Sequence, residues 1–509
     1  MQMDDAVLLT AQLSEGHGAL YLGRDDASTP RFGSHEDHLL ALGRPRSGKT
    51  TGLIIPSVAI HPGPVISTST RADVVAATAN ARTRIAEAVG GSVVELVFAG
   101  RGTGTVPAVG WSITDGCTDW NVAVDRASVL VQAAMPLADE QFWAGAGSDL
   151  LAGCLFGAAL RGEDDRMMTL RIKSTDVSAY FATVVDACPE DHQAPFVFGA
   201  VTNPEAMAED TRRSVFATLS SQVLGQFRYE SPPPGDGLRL EEFVRGAGTI
   251  FIVIPDARAK VLRPLVSAFI EAAAAAWRNT QVQSRANTLL LALDEVANVA
   301  PLPNLPSLLA SGAGDGIQCL LGMQDPGQAG RWGTEASVIV GGPTHVALFP
   351  GLRNAEYLAG LASLLGQDTA YDLQVDVRDG LEAGRRYADE STLIGERLDL
   401  ERARANATPR LQSTALRRAA WQIAARRRRV GVANRIPDES GGSAVLREVL
   451  ETTRVRRVPT RRPRLEADGL RAGRPGHFLL ISNTTADYRQ IQHWRHDPAW
   501  ATILHAAGT

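Results

Sequence analysis

An α/β fold with a central, mostly parallel sheet and an inserted all-α domain is predicted by three features of the sequence. Apolar runs of strand length alternate with helical stretches over residues 38–124 and resume over 246–366. Between these, over 125–245, apolar residues recur at three- and four-residue steps and extended runs are nearly absent. The first strand of the alternation, His38 to Leu42, leads directly into a glycine-rich turn at the head of a helix.

Residues 1–37 form a short β-rich opening with turns between Gly23 and Pro30. The first part of the core, 38–124, continues with a helix from Thr50 whose Pro56 predicts an early end or kink. Strands at Pro64–Thr68 and Ser92–Phe98 flank a helix over Arg71–Val89. The all-α domain, 125–245, has helical stretches at Asp149–Leu160, Asp176–Ala187 and Thr211–Leu224, and Pro232-Pro233-Pro234-Gly235 marks its exit. The second part of the core, 246–366, brings strands at Thr249–Ile254, Thr288–Leu293, Ile317–Met323 and Thr344–Phe349. Its helices cover Pro264–Trp277 and Arg353–Leu365. From 367 to 475 the chain is Arg-rich and irregular or partly helical, and 476–509 holds a last core strand, His477–Ser482, and a tail.

At 509 residues, 44% hydrophobic and 21% charged, the chain can bury several cores. Its net charge of −5 excludes a general polycation, but the charge is unevenly placed. Nineteen arginines stand against seven acidic residues between Glu401 and Pro475, a basic segment on an acidic body that suggests an anionic partner. Cys117, Cys154, Cys188 and Cys319 are scattered without a C-x-x-C pair, which argues against a disulfide framework or zinc site and for a reducing compartment. No secretory signal opens the sequence, and no stretch approaches the roughly 18 apolar residues of a membrane span.

The turn after the first strand, Gly43-Arg44-Pro45-Arg46-Ser47-Gly48-Lys49-Thr50, fits the phosphate-loop pattern G-x-x-x-x-G-K-[ST] at every position. Backbone N–H groups from Gly43 to Thr51 would converge on phosphate oxygens at the helix N-terminus. Lys49 would reach the β- and γ-phosphates of ATP, and the Thr50 hydroxyl would ligate Mg²⁺. Arg46 would contact the nucleotide or an adjacent subunit.

A second motif, Leu289 to Glu295 (LLLALDE), is a buried strand ending in two carboxylates. Ligands of such sheets sit at the carboxyl ends of strands, which puts Asp294 beside the phosphate loop to hold the Mg²⁺ hydration shell. Glu295 is then placed to deprotonate the attacking water, and Gln324, ending the next strand, to sense the γ-phosphate or position water. Arg331 and Arg353 follow sheet strands and are candidates for an arginine acting across a subunit boundary. The basic runs Ala425–Val430, with Arg426, Arg427, Arg428 and Arg429, and Thr460–Leu465 suit a phosphate backbone without sequence specificity. A solvated loop and a membrane surface are the competing readings.

The order of motifs resembles the signature of the type IV secretion coupling proteins, the TraG/TraD family of FtsK/HerA-like P-loop translocases. The resemblance lies in GRPRSGKTTGLIIPS, GPVISTSTRADVVAAT, DWNV at Asp119–Val122, and the run Leu293 to Gly333. It implies a RecA-like core and an ATP-driven hexameric motor, cytoplasmic and peripheral at the inner face of the cell membrane, that moves DNA or DNA–protein substrates into a conjugation channel. The all-α domain would face the relaxosome or secreted proteins, and Lys49, Thr50, Asp294, Glu295 and Gln324 would inherit the nucleotide roles. Two departures stand out. No membrane-spanning N-terminus is present, so a removed anchor or a separate membrane partner is implied. Ala313 occupies the Gly-rich turn where the family keeps a basic residue that acts across subunits. That favours a second reading, a nucleotide-binding docking adaptor that hydrolyses little; a ring ATPase for protein export or DNA packaging is a third.

Overall fold

A computed structural model describes residues 20–98, 100–135, 141–187, 208–225, 238–280, 288–376, 454–463, 466–482, 485–491, 493–496, 500 and 503–504. The strands in chain order are β1 (Tyr21–Arg24), β2 (Pro30–Phe32), β3 (Leu39–Leu42), β4 (Val65–Ser69), β5 (Val93–Leu96), β6 (Ala108–Val109), β7 (Thr249–Val253), β8 (Leu289–Leu293), β9 (Ile317–Met323), β10 (His345–Leu348), β11 (Gln367–Asp376), β12 (Arg454–Pro463), β13 (His477–Ser482) and β14 (Thr485–Gln490). Twelve of them form one sheet in the order β2-β1-β14-β13-β10-β3-β9-β8-β4-β7-β5-β6. From β10 to β6 every pairing is parallel; from β10 through β13, β14 and β1 to β2 every pairing is antiparallel.

The central parallel strands are mostly apolar because both faces are covered, although β4 ends in buried Ser67, Thr68 and Ser69 and β9 carries buried Gln318. β3, β4, β8 and β9 are buried at every position. In β8 the four leucines are fully buried, each worth roughly 1.5–3 kcal/mol of hydrophobic stabilisation. Helix Asp73–Val89 covers one crossover and stops at Gly90, whose φ of 76° suits a left-handed cap. From this helix Arg82, fully buried, donates to Thr249 Oγ1 at 2.7 Å, to the Gly63 carbonyl at 2.8 Å and to those of Ala247 and His61. It thereby joins the amino ends of β4 and β7. Nearby, buried His61 shares a 2.6 Å hydrogen bond between Nε2 and the Thr288 carbonyl.

Six described α-helices lie between β6 and β7, Trp120–Ala134, Gln141–Arg161, Asp165–Lys173, Ser178–Ala187, Glu209–Thr218 and Leu240–Arg245, and a π-helical turn, Leu219–Val223, continues the fifth. Asp119 caps the first by accepting from the Asn121 N–H, and Asp164 caps the third through Met167. No described helix is long and apolar enough to cross a membrane.

The elements differ from the sequence expectations in four places. Pro56 does not end its helix: a π-helical turn, Thr50–Ile54, runs directly into an α-helix that continues from Ile55 through Pro56 to Ile60. Pro264 does not open its helix, which starts two turns earlier and spans Asp256–Asn279 with the proline inside. The β-rich opening joins the main sheet through β14, a strand the sequence left as tail. In the Arg-rich region β11 and β12 form an antiparallel ladder from Gln367↔Pro463 to Asp376↔Arg454. These strands lie in a compact unit of their own, 365–465, apart from the unit formed by 1–364 and 466–509.

Candidate nucleotide site

The phosphate loop is stretched between β3 and a helix because the sheet holds its mouth. The Gly43 N–H donates to the Met323 carbonyl at 3.1 Å, and the Phe349 N–H to that of Leu42 at 2.8 Å. A side chain at Gly43 would put its Cβ 2.5 Å from the Phe349 Cβ, so only glycine fits. Gly48 has φ 101°, which reverses the chain into the helix. Between them Arg44, Pro45 and Arg46 are exposed, with Arg46 in the left-handed region at φ 63°, while Ser47 and Thr51 are half-buried. Lys49 is 7% exposed and its Nζ donates to the carbonyls of Gly43 and Arg44. Burial holds the lysine below its ordinary pKa, against the pull of Asp294 and Glu295.

Strand order puts β9 between the phosphate-loop strand β3 and the carboxylate strand β8. The Thr50 hydroxyl nevertheless reaches across and donates to Asp294 Oδ2 at 2.7 Å. Asp294 is 8% exposed; burial raises its carboxyl pKa, while Thr50 and Lys49 oppose the rise. The reach is permitted by Gly322 on β9, where any Cβ would sit 2.6 Å from Asp294 Oδ1. Glu295 follows with φ 53°, a left-handed conformation that costs a non-glycine residue of order 1–3 kcal/mol. The turn directs its carboxylate sideways: Gln324 Nε2 donates to Glu295 Oε1 at 3.0 Å, and Asn298 Nδ2 to Oε2 at 3.4 Å.

Gln324 is held in turn by a capping box. Gln328 Oε1 accepts from the Gln324 N–H at 2.8 Å, and Asp325 Oδ1 accepts from the Gly327 N–H at 2.8 Å. Asn354 Nδ2 adds a 3.3 Å contact to Asp325.

Lys49, Thr50, Asp294, Glu295 and Gln324 thus stand at one place on the carboxyl edge of the sheet. Arg353 is exposed, and Arg331 is half-buried on the segment Pro326–Glu335. Neither makes a hydrogen bond or ion pair among the described residues. Arg426–Arg429 lie outside the described residues. Sequence reasoning missed Gly322, Asn298 and Gln328. The spacings Glu295-x-x-Asn298 and Asp325-x-x-Gln328 were readable as one-turn pairs; Gly322 gave no signal, since its neighbour Asp294 belongs to another strand.

The donor set suits magnesium. One hydroxyl and one carboxylate face each other, and Mg²⁺ keeps most of its waters and takes few protein oxygens alongside phosphates. No cluster of three or more His, Cys, Asp or Glu side chains that could hold a metal occurs among the described residues.

Residues 5–376 match the family model described as type IV secretory system conjugative DNA transfer. A comparison with curated protein sequences gives no match. Among solved structures, the chain is similar to the bacterial conjugative coupling protein TrwBdeltaN70 in its unbound monoclinic form, at 14% identity and a TM-score of 0.60, over 95% of this chain and 90% of that one. It is similar to the same protein's trigonal form with sulphate at 15% identity and a TM-score of 0.57, over 91% and 87% of the two chains. The plasmid coupling protein TrwB in complex with ADP and Mg²⁺ is 14% identical, with a TM-score of 0.57 over 91% and 88%. At these identities the likeness establishes a shared fold.

Proposed function

The chain belongs to the type IV secretory system conjugative DNA transfer family, and on that premise we propose that it is the ATP-hydrolysing motor that recruits DNA, or a DNA–protein substrate, and drives it into the secretion channel. One observation carries the reading: the 2.7 Å bond from Thr50 to Asp294, which brings the phosphate loop and the carboxylate strand to a single point across an intervening strand. The solved structures of TrwB with ADP and Mg²⁺ and with a non-hydrolysable ATP analogue support ATP and Mg²⁺ as the ligands of the corresponding place here.

Backbone amides of the loop beyond Pro45, up to Thr51, and the Lys49 ammonium bind the β- and γ-phosphates, replacing the carbonyl contacts that Lys49 makes to its own loop. Thr50 and Asp294 would hold Mg²⁺, which when bound neutralises charge between those phosphates. Glu295 takes the proton of the attacking water. Gln324 and Asn298 each donate to one oxygen of the Glu295 carboxylate and so aim it. Arg331 or Arg353 supplies a positive charge to the neighbouring subunit's site in a homo-hexamer, the role that Ala313 does not perform.

The functional domains follow the sequence segments: a nucleotide-binding domain from 38–124 and 246–366, with 1–37 and the strand within 476–509 added to it. The all-α domain 125–245 faces relaxosome or secreted proteins. The Arg-rich region 367–475 contacts DNA without sequence specificity, Arg426–Arg429 among its contacts. The protein works at the cytoplasmic face of the membrane, docked to the channel or to a separate anchor.

The test is ATP turnover with and without DNA as protein concentration rises. Turnover stimulated by DNA and lowered about 10²–10⁴-fold by Glu295→Gln is expected, with Lys49→Ala abolishing it. Ala313 favours the docking adaptor instead, and tight ATP binding with no turnover under any of these conditions would establish that reading.

A further inference from the structure

The two-stranded ribbon within 365–465 pairs β11 with β12 over ten residues, from Gln367↔Pro463 to Asp376↔Arg454. Successive residues of a strand belong to opposite faces, so the register sorts the ribbon's charges. One face takes Arg454, Arg456 and Arg462 from β12 and Asp368, Asp372 and Asp376 from β11. Arg454 stands opposite Asp376 and Arg462 opposite Asp368. Arg456 stands opposite Gln374, with Asp376 and Asp372 on its two diagonals. Opposite charges in these relations stabilise a ladder, and this face sums to zero.

The other face takes Arg457 and Arg461 from β12 and no acidic residue from either strand. Arg457 stands opposite Leu373 and Arg461 opposite Thr369, and the rung between them pairs Pro459 with Tyr371. The ribbon holds five arginines and three aspartates, a net of +2, and all of that excess belongs to this one face.

Two cations without an acid in register, set on either side of an aromatic position, match one class of polyanion. Arginine's planar fork suits phosphate oxygens. Sites for single strands combine cations that track the backbone with an aromatic residue on which a base stacks. Along the strand Arg457 and Arg461 are roughly 14 Å apart, which leaves a span for a base between them. A lipid surface would reward apolar area as well as charge, and on this face β11 carries Thr369 and Gln367 at one end.

We propose that the ribbon face bearing Arg457, Arg461 and Tyr371 is a binding site for single-stranded nucleic acid. The two arginines take phosphates on either side of a base stacked at the Tyr371 position, and the opposite face is neutralised by its own aspartates. The proposal deepens the reading of 367–475 as a DNA contact and rests on it for the choice of polyanion. Within the basic run Thr460–Leu465 it assigns binding to Arg461 and not to Arg462.

The experiment compares two full-length double variants, Arg457→Gln with Arg461→Gln and Arg454→Gln with Arg462→Gln. Each removes two positive charges, so an effect of net charge alone is the same in both. By anisotropy of a labelled single-stranded oligonucleotide, the first is expected to bind at least about 5-fold more weakly. Its salt slope should be smaller by about 0.7 per lost contact. The second is expected to stay within about twofold of wild type. Arg457→Lys with Arg461→Lys keeps both charges and should restore the slope, which shows that a loss in the glutamine variant is not a loss of fold. Tyr371→Ala should weaken binding at least about 5-fold at an unchanged slope, and Tyr371→Phe should bind as wild type does.

Equal losses from the two arginine pairs, no loss from either, or wild-type affinity in Tyr371→Ala overturns the proposal. So does a first variant that keeps the oligonucleotide but loses vesicles containing phosphatidylserine, since the face would then serve a membrane. Oligonucleotide binding that follows the two faces in a protein without ATP turnover upholds the site and sinks the motor reading alone. DNA-stimulated turnover with binding indifferent to the two faces does the reverse.

Discussion

Gln324 donates its side-chain N–H to Glu295 across 3.0 Å, joining residues that follow two neighbouring parallel strands. The bond gives the carboxylate a fixed bearing and leaves its second oxygen with the weaker contact to Asn298. Gln324→Ala is expected to lower kcat about 10–100-fold while nucleotide affinity stays within about twofold, because the amide orients a base rather than binding phosphate. Single-turnover hydrolysis beside fluorescent-nucleotide titration checks this. An unchanged kcat removes Gln324 from the mechanism.

Gly322 is where β9 makes room for Asp294. A methyl group there would meet Asp294 Oδ1 at 2.6 Å and drive the carboxylate away from Thr50. Gly322→Ala is expected to cost about 1–3 kcal/mol of stability through overpacking. The Mg²⁺-dependent part of nucleotide affinity should fall about tenfold, with affinity in EDTA unchanged. Calorimetric titration with and without Mg²⁺ decides it, and equal losses in both would mean the loop itself has been disturbed.

His61 and His38 make the fold acid-sensitive. Burial lowers His61 to about 3 and His38 to about 4, from 6.5 for each. His61 gives its one proton to the Thr288 carbonyl, and His38 Nδ1 accepts from the Cys319 N–H at 3.1 Å, so each ring is held neutral. Below pH 6.5 the unfolded chain takes protons that the folded one refuses. Stability is therefore full above 6.5 and is lost as pH falls toward 4, by up to about 1.4 kcal/mol per pH unit per histidine. Urea unfolding at pH 5.0 and 6.0 should show the slope, and His61→Gln should remove about half of it.

The sequence made the chemistry legible where it was written in contiguous residues. The phosphate loop needs Gly43, Gly48, Lys49 and Thr50 at fixed spacing, and the run ending in Asp294 and Glu295 is a buried strand followed by carboxylates. The parallel core was readable for the same reason, since strands covered on both faces carry mostly apolar runs such as Leu289–Leu293. What could not be read was set by partners distant in sequence. Thr485–Gln490 alternates too weakly to announce a strand, and becomes one because β13 and β1 lie on either side. In Arg454–Pro463 the arginines leave no apolar face, so neither period shows, although the backbone pairs over ten residues with Gln367–Asp376. Pro264 hid two turns of helix because proline favours a helix start, and its place in the interior is fixed by burial.

The antiparallel edge of the sheet has a consequence for synthesis. Phe478 stacks on Phe349 with ring centres 5.0 Å apart, Trp500 meets Tyr21 edge-on at 5.0 Å, and Ile491 packs beside Gly48 of the phosphate loop. Ile503 and Leu504 share a core with Leu53, Ile54 and Ile55 of the helix that follows the loop. A ribosome releases the loop and its carboxylate strand long before it releases these packing partners. Until His477–Ser482 emerges, β10 is an open strand edge and the floor of the loop is bare hydrocarbon, so the nascent chain is prone to pair with its neighbours and needs shielding. The earliest-made part of the nucleotide site acquires its rigidity from residues translated much later.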